Sequence, residues 1–266
     1  MLSNKEIICP EQLIKLAKTK GPIKVVIVNA GKAVSIESTK QAVEEGLIDP
    51  IFIGDQKIIE SLAKEIKWDI SNFKIINEQV ENNTAPIAAK LASEGKVKII
   101  VKGHIHTDIL MKAVLKRDLN LIGKKRLSHV WHMTLDKNDK PFIISYAALN
   151  VLPKLETKMH ILKNSVDFAK RIGINKPKVS VLSATEEVLE SVPSSIDAKE
   201  LTERAKKEGV DADVFGPMAF DNSVSKKAAE IKGIKNTVAG NADILLVPNV
   251  EAGNGLVKMM IYFMGA

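Results

Sequence analysis

The sequence predicts an α/β protein whose sheet is mostly parallel and covered by helices on both faces. Three observations carry this. Short β-branched runs alternate with longer amphipathic stretches along the chain. The short runs are apolar almost throughout, as strands buried on both faces are, whereas a half-solvated strand would alternate. At 266 residues the chain can form one large α/β domain or two ordinary ones.

The elements follow in order. The run KVVIVN predicts a strand over 24–29, and apolar periodicity predicts a helix over 35–45. PIFI (50–53) is the next strand and 56–66 the next helix; FKII (73–76) and 84–93 repeat the pattern, as do KIIV (98–101) and 107–116. FIIS (142–145) precedes the long helix 156–172, whose apolar side carries Ile161, Val166, Phe168 and Ala169. KVSVL (178–182), a helix over 197–208, ADVF (212–215), a helix over 223–231 and ILLV (244–247) lead to a final apolar helix-like run, 256–264. That last run is apolar on more than one face, which predicts burial between other elements. The polar stretch DKNDKP (136–141) interrupts the pattern and reads as either a surface hairpin or the crossing between two subdomains.

Composition narrows the function classes. The only cysteine is Cys9, so no internal disulfide is possible, and a reducing, cytoplasmic setting fits. Glu6 and Glu11 break the apolar core that a signal peptide would need, and no apolar run approaches the ~20 residues that span a bilayer. The net charge of +7 invites a nucleic-acid partner, but only Arg117, Arg126, Arg171 and Arg204 among 39 basic residues are arginines, and aromatics are 4 %. Base readers concentrate arginine and interleave aromatics. Neither nucleic acid nor membrane is expected as a partner.

In parallel α/β sheets, ligands sit beyond the carboxyl ends of the strands. The stretches there are NAGKAVS (29–35), KGHIHTD (102–108), SATEE (183–187), FGPMAFDNSVS (215–225) and VPNVEAGNG (247–255). Lys102 and Gly103 lead into His106, Thr107 and Asp108, where Thr107 or Asp108 would cap a helix and leave backbone N–H groups for an anion. Gly216 and Pro217 would form a turn before Asp221, Asn222 and Ser223, which offer more hydrogen-bonding side chains than one cap needs. Glu251, Gly253, Asn254 and Gly255 would open the last helix with close backbone approach, yet without the spacing of a P-loop or dinucleotide fingerprint. The pairs His104/His106 and His129/His132 could ligate a metal, but no carboxylate or histidine signature surrounds them, so none is expected. There is no G-x-S-x-G and no distinctive carboxylate pair. These residues point to a cleft lined by helix N-termini for a phosphorylated or otherwise anionic ligand.

Together, KGHIHTDILMKAVL, LSHVWHM, ISYAALNVLPKLETK, KVSVLSATE, GPMAFDNSVS, TVAGNADILLVPNVEAGN and LVKMMIYFMGA resemble, in order, the phosphate acetyltransferase and phosphate butyryltransferase family. The similarity runs over essentially the whole chain, and LSHVWHM looks closest to the acyltransferase half of bifunctional enoyl-CoA hydratase proteins. The resemblance implies two α/β subdomains, 1–136 and 137–266, with DKNDKP at the crossing and a cleft between them, an isocitrate/isopropylmalate dehydrogenase-like arrangement. It implies transfer of an acetyl or butyryl group between coenzyme A and phosphate by a homodimer, with coenzyme A as substrate and neither metal nor other cofactor. Lys102, His106, Thr107, Gly216, Asp221, Asn222, Ser223, Glu251, Gly253 and Asn254 become substrate-binding candidates. The basic run Lys112, Lys116, Arg117, Lys124, Lys125 and Arg126 would meet the coenzyme's phosphates.

Two departures accompany the resemblance. The acetyltransferases commonly carry an arginine where this chain has Lys112, which lacks the guanidinium fork. Family members also continue beyond the helix matching MMIYFMGA, with another strand, a Ser-Arg pair and an aspartate central to the chemistry. That segment, about one βα unit plus a helix, has no counterpart here. The resemblance thus leaves the catalytic residues unassigned and the expectation of a truncated chain with weak or absent transfer, the alternative being a non-catalytic coenzyme A-binding remnant. A metal-dependent decarboxylating dehydrogenase would need clustered aspartates, and Asp108 and Asp221 are scattered.

Overall fold

The computed structural model describes residues 2–5, 9–123, 125–135, 140–146 and 152–266. The chain divides into two compact units, Gln12–Lys124 and a second made of Met1–Glu11 with Lys125–Ala266.

The first unit opens with the helix α1 (Glu11–Lys18) and runs β1 (Ile23–Val28), α2 (Ala33–Glu44), β2 (Ile48–Gly54), α3 (Gln56–Glu65), β3 (Lys74–Asn77), α4 (Glu81–Ser93), β4 (Ile99–Lys102) and α5 (Thr107–Val114). Its sheet is wholly parallel in the order β3-β2-β1-β4. The pleat of β1 sends Val25 and Ile27 to a core shared with Ile36 and Ile59 of α2 and α3. Val26 and Val28 join Ala85, Ala88, Leu110 and Ala113 of α4 and α5 on the other face. All four β1 residues are essentially unexposed, and burying each contributes roughly 1.5–3 kcal/mol. The chain steps from β1 out to β3, then returns to place β4 on the other side of β1. The loops after β1 and β4 therefore leave neighbouring strands in opposite directions, the arrangement that opens a crevice at the strand ends.

The second unit runs β5 (His129–Met133), β6 (Phe142–Tyr146), α6 (Leu155–Arg171), β7 (Lys178–Leu182), α7 (Pro193–Lys207), β8 (Asp213–Met218), α8 (Phe220–Val224), α9 (Lys226–Ile231), β9 (Ile244–Leu246) and α10 (Val250–Met264). The sheet order is β5-β6-β9-β7-β8, antiparallel only between β5 and β6. One face packs on α6 and α7. The other carries Tyr146, Leu245 and Val257 of α10.

Three expectations need correction. The division between the two units falls between 124 and 125, not at the crossing expected at 136–141, and the strands on either side of that stretch, β5 and β6, pair with each other. Residues 136–139 themselves fall outside the described residues, as do Lys124 and 147–151. The predicted helix 223–231 is two helices, because Ser225 leaves helical geometry at φ −114° and caps α9. The final helix is not fully buried: Met259, Tyr262, Phe263 and Met264 are each more than two-fifths exposed. No helix among the described residues is long and apolar enough to cross a membrane.

Candidate functional site

In the first unit the ends of β1 and β4 are tied together. Asn29 adopts a left-handed conformation, φ +54°, and its Nδ2 donates to the carbonyl of His104. The N–H groups of Gly103 and His104 donate to the carbonyls of Val28 and Asn29 at 3.0 and 2.9 Å. A Cβ at position 103 would lie 2.4 Å from the Val28 oxygen, so only glycine permits this approach. Beside the junction start α2, with Lys32 as N-cap, and α5, with His106 as N-cap. Neither N-cap side chain bonds its helix, and the exposed side chains around them include Lys32, Lys102, His104, His106, Thr107 and the acidic Asp108 in the first turn of α5. A second carboxylate lies close by: Glu81 Oε1 accepts from the His106 N–H at 3.0 Å.

In the second unit, the loop after β7 and the turn after β8 meet through Glu186. Its carboxylate accepts from the Ala219 N–H at 3.2 Å, from Asn222 Nδ2 and from Lys232 Nζ at 3.1 and 3.3 Å. Burial pushes this carboxyl upward, but the hydrogen bonds from Lys232, Asn222 and Ala219 outweigh it and hold it below the usual glutamate value. Asn222 is fully buried, and its Oδ1 has no partner among the described residues. A buried unpaired acceptor costs about 1–3 kcal/mol. Ser223, also buried, is bonded to Ser180 Oγ at 2.7 Å and to the Ala219 carbonyl at 2.8 Å.

A third cluster lies where α10 crosses β6. Asn249 is the true N-cap, its Oδ1 accepting from the Ala252 N–H at 2.9 Å. The Tyr146 hydroxyl donates to Asn254 Oδ1 at 2.6 Å and accepts from Trp131 Nε1 at 3.0 Å. The His129 ring packs 4.8 Å from Trp131 and 5.1 Å from Tyr146, and burial lowers its pKa, so it is neutral near pH 7. Three positions apart on one strand, His129 and His132 face opposite sides of the sheet and do not converge on a common ion.

The family profile described as Phosphate acetyl/butaryl transferase matches residues 73–266. The chain belongs to this family. It is 41 % identical to the phosphate acetyltransferase of Rickettsia prowazekii (strain Madrid E) over 243 residues, 91 % of this chain and 69 % of that one. It is 35 % identical to the phosphate butyryltransferase of Clostridium acetobutylicum over 254 residues, covering 94 % and 84 %. A branched-chain phosphotransacylase from Enterococcus faecalis V583 superposes with a TM-score of 0.78 at 31 % identity, covering 90 % of this chain and 83 % of that one.

In this phosphate acetyl/butaryl transferase family member, the predicted site residues fall into groups. Lys102, His106 and Thr107 gather at the β4–α5 loop, with His106, not Thr107 or Asp108, at the N-cap. Lys112 lies in the last turn of α5, about 7.5 Å along the axis from Thr107. The basic run is divided: Lys112, Lys116 and Arg117 belong to the first unit, Lys125 and exposed Arg126 to the second, where Lys125 pairs with Asp167. Asp221, Asn222 and Ser223 share the Glu186 turn, with Asp221 exposed.

Two glycines have other reasons. Gly216 is inside β8, not in a turn, and a Cβ there would lie 2.7 Å from Val181 Cβ. Gly253 sits within α10, where a Cβ would lie 2.3 Å from the Tyr146 ring. Both are packing glycines, and Glu251 and Asn254 lie past the helix start rather than in a phosphate-cradling loop. Sequence reasoning missed Asn29, Tyr146, Glu186 and Asn249. Of these, Asn249 was open to discovery, since an asparagine four residues before the Gly-Asn-Gly run is an ordinary N-cap signal.

Proposed function

We propose that this chain moves an acetyl or butyryl group between coenzyme A and inorganic phosphate. The carrying observation is identity to both a phosphate acetyltransferase and a phosphate butyryltransferase across more than nine-tenths of the chain. In the forward direction a phosphate oxygen attacks the thioester carbonyl carbon. The tetrahedral oxyanion collapses, the C–S bond breaks, and the coenzyme leaves as a thiolate that takes up a proton. The fold's part is to hold the two anions in line and to stabilise the oxyanion.

The junction of β1 and β4 supports the phosphate half of this reading. Two helix N-termini free of side-chain caps, flanked by Lys32, Lys102, His106 and Thr107, match an anion's needs. Lys112 serves the coenzyme phosphates as a point charge. Asp221, exposed at the Glu186 turn, is available to hydrogen-bond the acyl-coenzyme end. No cofactor enters, and the enzyme works in the cytoplasm as a homodimer, for which the exposed apolar residues of α10 are a suitable contact face. The alternative of a non-catalytic coenzyme A binder is not favoured by the relatives.

The test follows thiol release from acetyl-CoA and butyryl-CoA with a chromogenic thiol reagent, with and without phosphate. Phosphate-dependent release that survives a chelator is the expected result. Absence of release with either thioester, by protein that unfolds cooperatively, would overturn the assignment. Light scattering after gel filtration checks the dimer.

A further inference from the structure

We infer that Glu186 is a positioning residue: its carboxylate fixes the amide orientation of Asn222 and pins the β8–α8 turn that carries buried Asn222 and Ser223 and presents Asp221. The inference rests on the acyl-transfer reading only in taking that turn to face substrate.

The geometry is a three-segment clasp. Glu186 comes from the loop after β7, Ala219 is the N-cap of α8, Asn222 lies within it, and Lys232 is the C-cap of α9. One carboxylate therefore holds two short helices against a neighbouring strand end, where α8 has only five residues and little stability of its own. The Asn222 backbone gives a second hold, since its main-chain carbonyl accepts from the Gly240 N–H at 2.7 Å.

The amide direction follows from charge. An ionised carboxylate only accepts, so Asn222 must turn its NH2 towards Glu186. The flipped amide would set Oδ1 against a carboxylate oxygen and leave Nδ2 in the unpartnered position. With Glu186 in place, the Asn222 Oδ1 is held as an acceptor on the side away from it, matching its lack of a donor among the described residues. Glutamine at 186 could offer either an acceptor or a donor, and the amide would no longer be committed. The groups facing Glu186 from other elements are neutral Asn222 and the Ala219 N–H from α8, and charged Lys232 from α9.

The test uses the full chain and has two arms. In the first, ¹⁵N–¹H spectra follow the Asn222 side-chain amide. It should be protected from solvent exchange and shift as Glu186 titrates, and both properties should vanish in Glu186→Gln. An unchanged Asn222 amide in that variant overturns the lock. In the second, thiol release is measured. Glu186→Gln should lose tenfold or more in kcat with coenzyme A thioester KM within threefold; kcat within twofold of the parent overturns the positioning role. Lys232→Met, at a half-exposed site, covers the case in which Glu186→Gln does not fold. It removes the one charged donor among the described residues, so the Glu186 carboxyl rises and the acid limb of kcat moves to higher pH. An unmoved limb overturns the inference. If the parent releases no thiol, the acyl-transfer reading falls with the kinetic arm, and the amide spectra still decide whether Glu186 orients Asn222.

Discussion

Gly253 and Gly255 stand two residues apart in α10 and should respond to alanine with opposite signs. At 253 the new methyl would meet Tyr146 Cδ1 at 2.3 Å, Cε1 at 2.5 Å and Cγ at 2.9 Å, about 1.1 Å inside ordinary contact at 3.4 Å. Tyr146 is 2 % exposed, so its ring has nowhere to retreat without disturbing Leu245, Val257 and Met133. Overpacking of this kind costs about 1–3 kcal/mol. Moving the ring also stretches the hydroxyl's bonds to Asn254 and Trp131, about 1 kcal/mol each. Against this, replacing glycine inside a helix returns about 1 kcal/mol. The net for Gly253→Ala is a loss on the order of 2–4 kcal/mol, or about 4–16 °C in Tm for a domain of this size. At Gly255 nothing lies within 4 Å, so only propensity acts, and Gly255→Ala should raise Tm by about 2–4 °C. Calorimetry on both variants reads the difference directly. A Gly253→Ala protein as stable as its parent, or two variants shifting in the same direction, would refute the placement of the Tyr146 ring over residue 253.

Three further predictions concern other parts of the molecule. Gly103→Ala should destabilise the first unit by about 2 kcal/mol or more in urea unfolding, because the obstructing atoms are the backbone oxygens of Val28 and Asn29 and no side chain can swing aside. Asp197→Asn should cost about 2 kcal/mol in the same assay by leaving Lys158, 7 % exposed, without its counter-charge; the usual 3–5 kcal/mol for a buried pair is discounted because the Asp197 side chain is 36 % exposed. Lys163 and Arg204 hold the Glu208 carboxyl down to about 2, so its contribution is present above the unfolded value of 4.5 and is lost as pH falls towards 2. Melting curves of the parent and Glu208→Gln should therefore differ near neutrality and converge as the pH drops through that window.

The parallel strands were readable in the sequence because burial on both faces leaves an unbroken apolar run, as in the IKVVIV of β1. β5 was not, since HVWHM carries two histidines and a tryptophan and lacks the β-branched density that marks the others. The amphipathic α1 escaped notice because eight residues give barely two turns of periodicity. At the candidate site, residue types were visible but reasons were not. A glycine announces that a side chain is unwelcome without saying what it approaches. Gly216 answers to Val181 and Gly253 to Tyr146, contacts made across 35 and 107 positions of sequence. Glu186 looked like any charged loop residue because its partners Ala219, Asn222 and Lys232 lie 33, 36 and 46 residues further on.

The grouping of residues 1–11 with 125–266 bears on the order in which the chain can fold. Every strand pair of the first unit closes within Gln12–Lys124, so that unit can complete as one continuous stretch of chain emerges. The second unit contains a bond from the Ser3 N–H to the Tyr262 carbonyl, a closure across nearly the entire sequence. Each doubling of loop length adds only about 0.6 kcal/mol to such a closure, so the bond is thermodynamically inexpensive but kinetically late. The N-terminal strap should therefore be the last part to dock and the first to exchange its amide hydrogens.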